Sequence, residues 1–334
     1  MRMLDPGEEN LRLAADALRG GKLVALPTET VYGLGADAFN PRALARVFEA
    51  KNRPHFDPLI VHVASVEAVD RVADLDALGS AGAARARALM EAFWPGPLTL
   101  ILPKRPDVPD LATSGLPSVA VRLPAHPVAR RLIELSTGAV AAPSANPFGY
   151  LSPTRAAHVA DQLGDRVDFI IDGGRCPVGV ESTVLDLTVD PPLVLRPGGL
   201  SLDRLEALLG AVEVFDRSTT SPKAPGQLPS HYAPRARLKL VPAGALPLCD
   251  PSPGAVALCF DGASEARLRA EEPGLYSRIL VLSPSGDLVE AAAELFETLH
   301  ALDGSGVAEI WAERVPDAGL GRAVNDRLYK ASEK

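Results

Sequence analysis

The chain has 334 residues, 47% hydrophobic and 23% charged, enough for about two soluble domains. A net charge of −8 argues against a large nucleic-acid footprint. No stretch has the apolar core of a signal peptide or the length to span a bilayer, and three cysteines without a CxxC pair fit a reduced, cytoplasmic protein with structural thiols.

In chain order, residues 10–20 read as a helix and "GGKLVALP" as a turn and a strand. "NPRALARVFEAKNR" reads as a helix with Asn40 as N-cap and Pro41 in its first position. "DPLIVHVA" is a buried strand, and "GSAGAARARALMEAFW" is a helix stopped by "PGP". The short apolar runs "LTLILP", "SVAVRLP", "GAVAAP", "VDFIIDGG", "STVLDLT" and "PLVLRPG" are strands. "HPVARRLIEL", "RAAHVADQLG" and "SLDRLEALLG" are helices between them. This irregular alternation predicts an α/β fold with an open, mixed sheet.

The organisation predicted is three-part. Residues 1–212 form the first domain, and 213–237 a polar, proline-rich linker of the long, functional kind. Residues 238–334 form a smaller Rossmann-like α/β domain, although no GxGxxG supports dinucleotide binding. From Leu238 to Lys334 there are 9 Lys+Arg against 15 Asp+Glu, whereas the remainder has 25 against 27 and could carry a local basic cleft.

The sequence lacks a P-loop, an HExxH and a GxSxG, and its six histidines show no metal-ligand spacing. Phosphate must then be met by cations and hydroxyls. "KNRPHFDPLIVH" offers Lys51 and Arg53 at a helix end, where a solvated, dipole-complementing pair is an equal reading. His62 in an apolar strand reads first as a core histidine. Arg122 in "SVAVRLP" and Arg196 in "LVLRPGG" stand late in apolar strands, where a buried charge needs a carboxylate or phosphate. A surface salt bridge is the plainer alternative for each. Hydroxyls gather in "LPTETVYGLGADA", in "APSANPFGYLSPT" and in "GVESTVLDL". Ser152 and Pro153 are expected to cap and begin a helix whose N-terminus suits a phosphate.

Taken in order, "PTETVYGLGADA", "KNRP…PLIVH", "WPGPLTLIL", "VAVRLPAHP", "APSANPFGYLSPT", "DGGRCPVGVESTVLDL" and "LRPGG" resemble the YrdC/TsaC family of L-threonylcarbamoyl-AMP synthases. The match runs from about Gly20 to Gly210, and "SHYAPRA" with a further domain is similar to the family's two-domain form. The resemblance implies a twisted, open, dsRBD-like α/β sheet with a basic concave site. It implies an enzyme that makes threonylcarbamoyl-AMP and diphosphate from L-threonine, bicarbonate (or CO2) and ATP, with Mg2+. A separate complex would then transfer the product to tRNA, so tRNA binding here is expected to be weak or indirect. Carried over by motif, Thr30, His62, Arg122, Ala142 and Ser182 would bind threonine. Arg53, Asp57, Ser118, Ser144, Ser152, Arg196 and Tyr232 would bind ATP, with Lys51, Arg53 and Arg196 stabilising phosphate charge. Asp57 stands where Asn is usual, and Ser118 where Thr is usual. No metal ligands are assigned. Another carbamoyl-adenylate enzyme and a non-catalytic RNA-binding module are the alternatives.

Overall fold

Short apolar runs bounded by proline or glycine cannot bury themselves singly, and here they line up edge to edge. In the computed structural model, which describes residues 1–215, 222–228 and 231–333, an eleven-stranded sheet is formed. Its spatial order is Arg2–Leu4, Phe169–Ile171, Val24–Leu26, Gly33–Asp37, Ala139–Ala141, Ile60–Val63, Ser118–Arg122, Leu98–Pro103, Thr183–Asp186, Leu193–Arg196 and Glu213–Val214. Parallel and antiparallel pairs mix: Ile60–Val63 runs parallel to Ser118–Arg122 and antiparallel to Ala139–Ala141. The expected open mixed sheet is therefore present.

Side chains alternate across a strand, and this decides where the site lies. Val61 and Val63, with Val119, Val121, Leu100 and Leu102, enter the main core. Ile60 and His62, with Ala120 and Arg122, point to the opposite face. On that face Ile60, Ile101, Ala120, Val184 and Leu195 pack around Ala224 of the linker. The register sets His62 beside Arg122.

Two compact units divide the chain. The first comprises Met1–Phe148, Ser152–Pro177 and Glu181–Leu228, and the second Gly149–Leu151, Val178–Val180 and Pro229–Lys334. The second unit has a four-stranded parallel sheet in the order Arg237–Val241, Glu309–Glu313, Val256–Asp261, Arg278–Ser283. Helices Gly262–Glu271, Leu288–Gly304 and Gly321–Ser332 complete it as the smaller Rossmann-like α/β domain that was expected. Among the described residues, no helix is long and apolar enough to cross a membrane.

Candidate functional site

Local sequence sets the position of each polar group of the site. The helix Pro41–Lys51 starts where Asn40 accepts hydrogen bonds from the amides of Arg42 and Ala43. It stops at Asn52, whose left-handed backbone (φ 52°) turns the chain so that Arg53 follows Lys51 into the interior. The loop after Ala139–Ala141 is strapped down by backbone bonds from Leu34 to Pro143 and from Ala145 to Tyr32. It therefore presents its carbonyls inward, and the Lys51 ammonium donates to those of Ser144 and Asn146.

Lys51 is 1% exposed and Arg53 5%, so the solvated helix end does not form. Arg53 donates to the carbonyls of Asp57 (3.0 Å) and Pro58 (2.8 Å) and pairs with the Asp57 carboxyl at 2.8 Å. Burial, then the charge of Arg53, pulls the Lys51 amine well below its ordinary value. Burial raises Asp57 although Arg53, Lys51 and Arg196 all favour its anion. These four residues thus form one electrostatic group. Both Asp57 oxygens lack an aligned hydrogen-bond donor among the described residues. Continuing the register of Ile60 with Ala120 sets Ser118 beside Pro58, at the Arg53 end of its strand and four residues from Arg122.

Arg196 reaches across strands. Its guanidinium donates to the carbonyl of Ser182 (2.8 and 3.1 Å), to the Ser182 hydroxyl (3.1 Å) and to the carbonyl of Pro225 in the linker (3.0 Å). Gly198 makes this crossing feasible. A Cβ there would lie 2.3–2.5 Å from backbone atoms of Glu181, Ser182 and Thr183, so only glycine fits. Ser182 also shares a hydrogen bond with Thr99 at 2.8 Å.

Arg122, 3% exposed, is no surface salt bridge. It donates to the Thr30 hydroxyl (2.8 Å) and to the carbonyl of Gly96 (3.2 Å), and its Nη2 lies 2.6 Å from Glu29. The loop is shaped by Thr28, whose hydroxyl accepts from the amides of Thr30 and Val31. Ala142 is buried and donates its amide to the carbonyl of Ile60. His62 is buried too, and its Nδ1 has no hydrogen-bond partner among the described residues. Burial, aided by Arg122, lowers the imidazole to about 3, so it is neutral at working pH.

That shift predicts a pH dependence. The folded value lies below the ordinary 6.5, so the unfolded chain holds the extra proton between about 3 and 6.5. The stability contributed is full above pH 6.5 and is lost as pH falls, by about 1.4 kcal/mol per pH unit. Replacing His62 by Gln should flatten the fall in urea-unfolding free energy between pH 4 and 6 by about one proton. Parallel profiles would mean that His62 does not titrate on unfolding.

Two expected positions differ. Ser152 does not cap a helix: the helix Ala156–Leu163 has Arg155, three residues later, as its N-cap. Ser152 precedes Pro153, which disfavours helical backbone, and its hydroxyl donates to Glu181 instead. The Pro153 carbonyl is taken by the Tyr32 amide. Tyr232 belongs to the second unit, where its ring is buried beside His231 and Phe296 and under the Arg327 guanidinium.

Sequence reasoning left out Glu29, Thr99 and Glu181. Thr99 could have been found as the one polar residue inside "LTLILP", and Glu29 as the carboxylate between two hydroxyls of "TET".

A family model described as "Telomere recombination", for Sua5, YciO and YrdC, matches residues 16–198. The chain belongs to the Sua5/YciO/YrdC family. A second model, "Threonylcarbamoyl-AMP synthase, C-terminal domain", matches residues 200–333. The threonylcarbamoyl-AMP synthase of Pyrococcus abyssi is 44% identical over 97% of this chain and 94% of its own length. That of Bacillus subtilis is 40% identical over 98% and 94%. A crystal structure of P. abyssi Sua5 complexed with L-threonine is 40% identical, covers 99% of this chain and 98% of its own, and superposes with a TM-score of 0.86. The two models together, and these relatives, extend the similarity through both domains of this chain.

Proposed function

We propose that this chain joins L-threonine, bicarbonate and ATP into threonylcarbamoyl-AMP, releasing diphosphate. The observation that carries the reading is a set of buried cations, with Arg122 beside His62 in one place and Lys51, Arg53 and Arg196 around Asp57 in another. Arg122, with Thr30, His62, Ala142 and Ser182, suits a small amino acid with its carboxylate on the guanidinium. Lys51, Arg53 and Arg196, grouped around Asp57 with Ser118 and Ser144 beside them, suit a triphosphate, and Ser152 is assigned to it by the family resemblance. The place of Tyr232 on the nucleotide rests on the family resemblance.

The chemistry needs positioning and charge stabilisation. The carbamate oxygen of carboxylated threonine attacks the α-phosphorus of ATP, the bond to the β-phosphoryl oxygen breaks, and diphosphate leaves. Lys51, Arg53 and Arg196 offset the charge that grows on the phosphate oxygens. Among the described residues no group of three or more His, Cys, Asp or Glu could hold a metal ion. A magnesium ion that travels with the phosphates needs only one or two carboxylates, and Asp57, ion-paired with Arg53 but with no aligned donor on either oxygen among the described residues, is the carboxylate that would take that part. Bound there, it would offset phosphate charge.

The product is a mixed anhydride that water destroys, so it needs cover. Part of the linker already lies on the site face. Ala224 is fully buried in the apolar cluster around Ile60 and Ala120, and the Pro225 carbonyl takes a bond from Arg196. We take the linker as a lid; its residues 216–221 and 229–230 lie outside the described ones. Replacing Ala224 by Asp should shorten the lifetime of bound adenylate severalfold, followed by chromatography of a single turnover. An unchanged lifetime would leave the segment a passive tether.

The enzyme would act in the cytoplasm and pass its product to a separate tRNA-modifying complex, with weak or indirect contact to tRNA. Diphosphate release from ATP that requires both threonine and bicarbonate tests the whole reading. Release that needs carbamoyl phosphate instead would favour another carbamoyl-adenylate enzyme.

A further inference from the structure

Resting on that reading, one requirement of the reaction has no residue assigned to it. Threonine arrives as an ammonium ion, and its nitrogen cannot attack carbon until it loses a proton. The acceptor has to stand next to the group that holds the carboxylate, because an amino acid's two charged groups are one carbon apart.

Glu29 meets that condition. Its Oε1 lies 2.6 Å from Arg122 Nη2, and its Oε2 accepts the amide of Ala125 at 3.0 Å. The residue is 7% exposed. The contact with Arg122 is an ion pair without hydrogen-bond alignment, so Oε1 is a buried acceptor with no aligned donor among the described residues. Such an atom normally has a partner. A carboxylate offers about four lone-pair sites, and two neighbours leave room for an N–H. His62 stands beside Arg122 in the register, its ring buried and its Nδ1 without a hydrogen-bond partner among the described residues. A carboxylate beside a guanidinium is complementary to a zwitterion: the substrate carboxylate to Arg122, its ammonium to Glu29. Neither Thr30 nor Ser182 carries the negative charge needed to take a proton.

We propose that Glu29 binds the threonine ammonium and accepts its proton as the carbamate forms. One ammonium proton passes to Glu29 Oε1, and the freed lone pair makes the N–C bond to the CO2 released from bicarbonate. The hydroxide left from bicarbonate takes the second nitrogen proton and becomes water. Ammonium, bicarbonate and carboxylate thus give carbamate, water and carboxylic acid, with atoms and charge balanced. Glu29 recovers its charge when that proton leaves for solvent.

The test separates this role from orientation of Arg122 by running the reaction in both directions. Cleaving threonylcarbamoyl-AMP with diphosphate gives ATP and the carbamate before any proton returns to nitrogen. In Glu29→Gln, single-turnover ATP formation from threonylcarbamoyl-AMP and diphosphate should stay within about threefold of the unaltered enzyme. Forward synthesis from threonine should fall by about a hundredfold or more, the usual span for a lost proton acceptor. Glu29→Asp should recover part of the forward rate. Equal loss in both directions would make Glu29 a positioning residue for Arg122 and overturn the proposal; so would a forward rate near normal. If the unaltered enzyme runs neither direction, the reading of its function fails instead, independently of Glu29.

Discussion

Replacing Arg122 by alanine is expected to weaken L-threonine binding by about thirtyfold to several thousandfold, the equivalent of about 2–5 kcal/mol for a buried charged partner. Three of its nitrogens are held by Thr30, Glu29 and Gly96, so the guanidinium is aimed before substrate arrives. Preorganisation of this kind is what lets a buried arginine discriminate. Nucleotide affinity should change by less than about threefold, because the cations grouped around Asp57 are a different set. There is a structural side effect: Glu29 would be left buried and unpaired, which costs about 3–5 kcal/mol. The double change Arg122→Met with Glu29→Gln separates the two. It should restore much of the lost stability in urea unfolding and none of the threonine affinity. A threonine dissociation constant within twofold of normal in Arg122→Ala would remove Arg122 from the substrate site.

Much of this site was legible because buried charge is rare. An arginine late in "SVAVRLP" or "LVLRPGG" has to be accounted for, and both are indeed buried. The mixed sheet was legible from strand-length apolar runs separated by helices. What was not legible is pairing across long separations. Glu29 lies 93 residues from Arg122, and nothing in a period of two or 3.6 announces that they meet. The helix start near Ser152 was misplaced for a local reason: a Ser-Pro step resembles a cap, yet Glu181, 29 residues on, takes the hydroxyl. Tyr232 reads as a linker aromatic, whereas its ring is packed under Arg327. A carboxylate at Asp57, where Asn is usual, would repel a phosphate unless a cation offsets it. Its ion pair with Arg53 shows how the carboxylate is tolerated among buried groups.

Replacing Lys51 by methionine should lower the rate of adenylate formation by about a hundredfold or more while threonine affinity stays within about threefold. Methionine keeps the length and apolar stem of lysine, so the main loss is the amine, together with two carbonyls, of Ser144 and Asn146, left without their donor. In the free protein this amine is held in an unfavourable place, since burial and Arg53 both oppose its charge. A triphosphate reverses the balance, because an adjacent anion favours the protonated form. ATP binding should therefore push the Lys51 amine back up toward its ordinary value, with proton uptake wherever the free protein leaves it partly unprotonated. Titration calorimetry in buffers of different ionisation enthalpy measures that uptake, and Lys51→Met should reduce it. Arg53→Lys makes the companion test: it keeps a cation but loses the planar fork that holds the Asp57 and Pro58 carbonyls together, so it should fall between the unaltered enzyme and Lys51→Met. Normal turnover with unchanged proton uptake in Lys51→Met would reduce this lysine to a strut that ties the helix Pro41–Lys51 to the loop beyond Ala141.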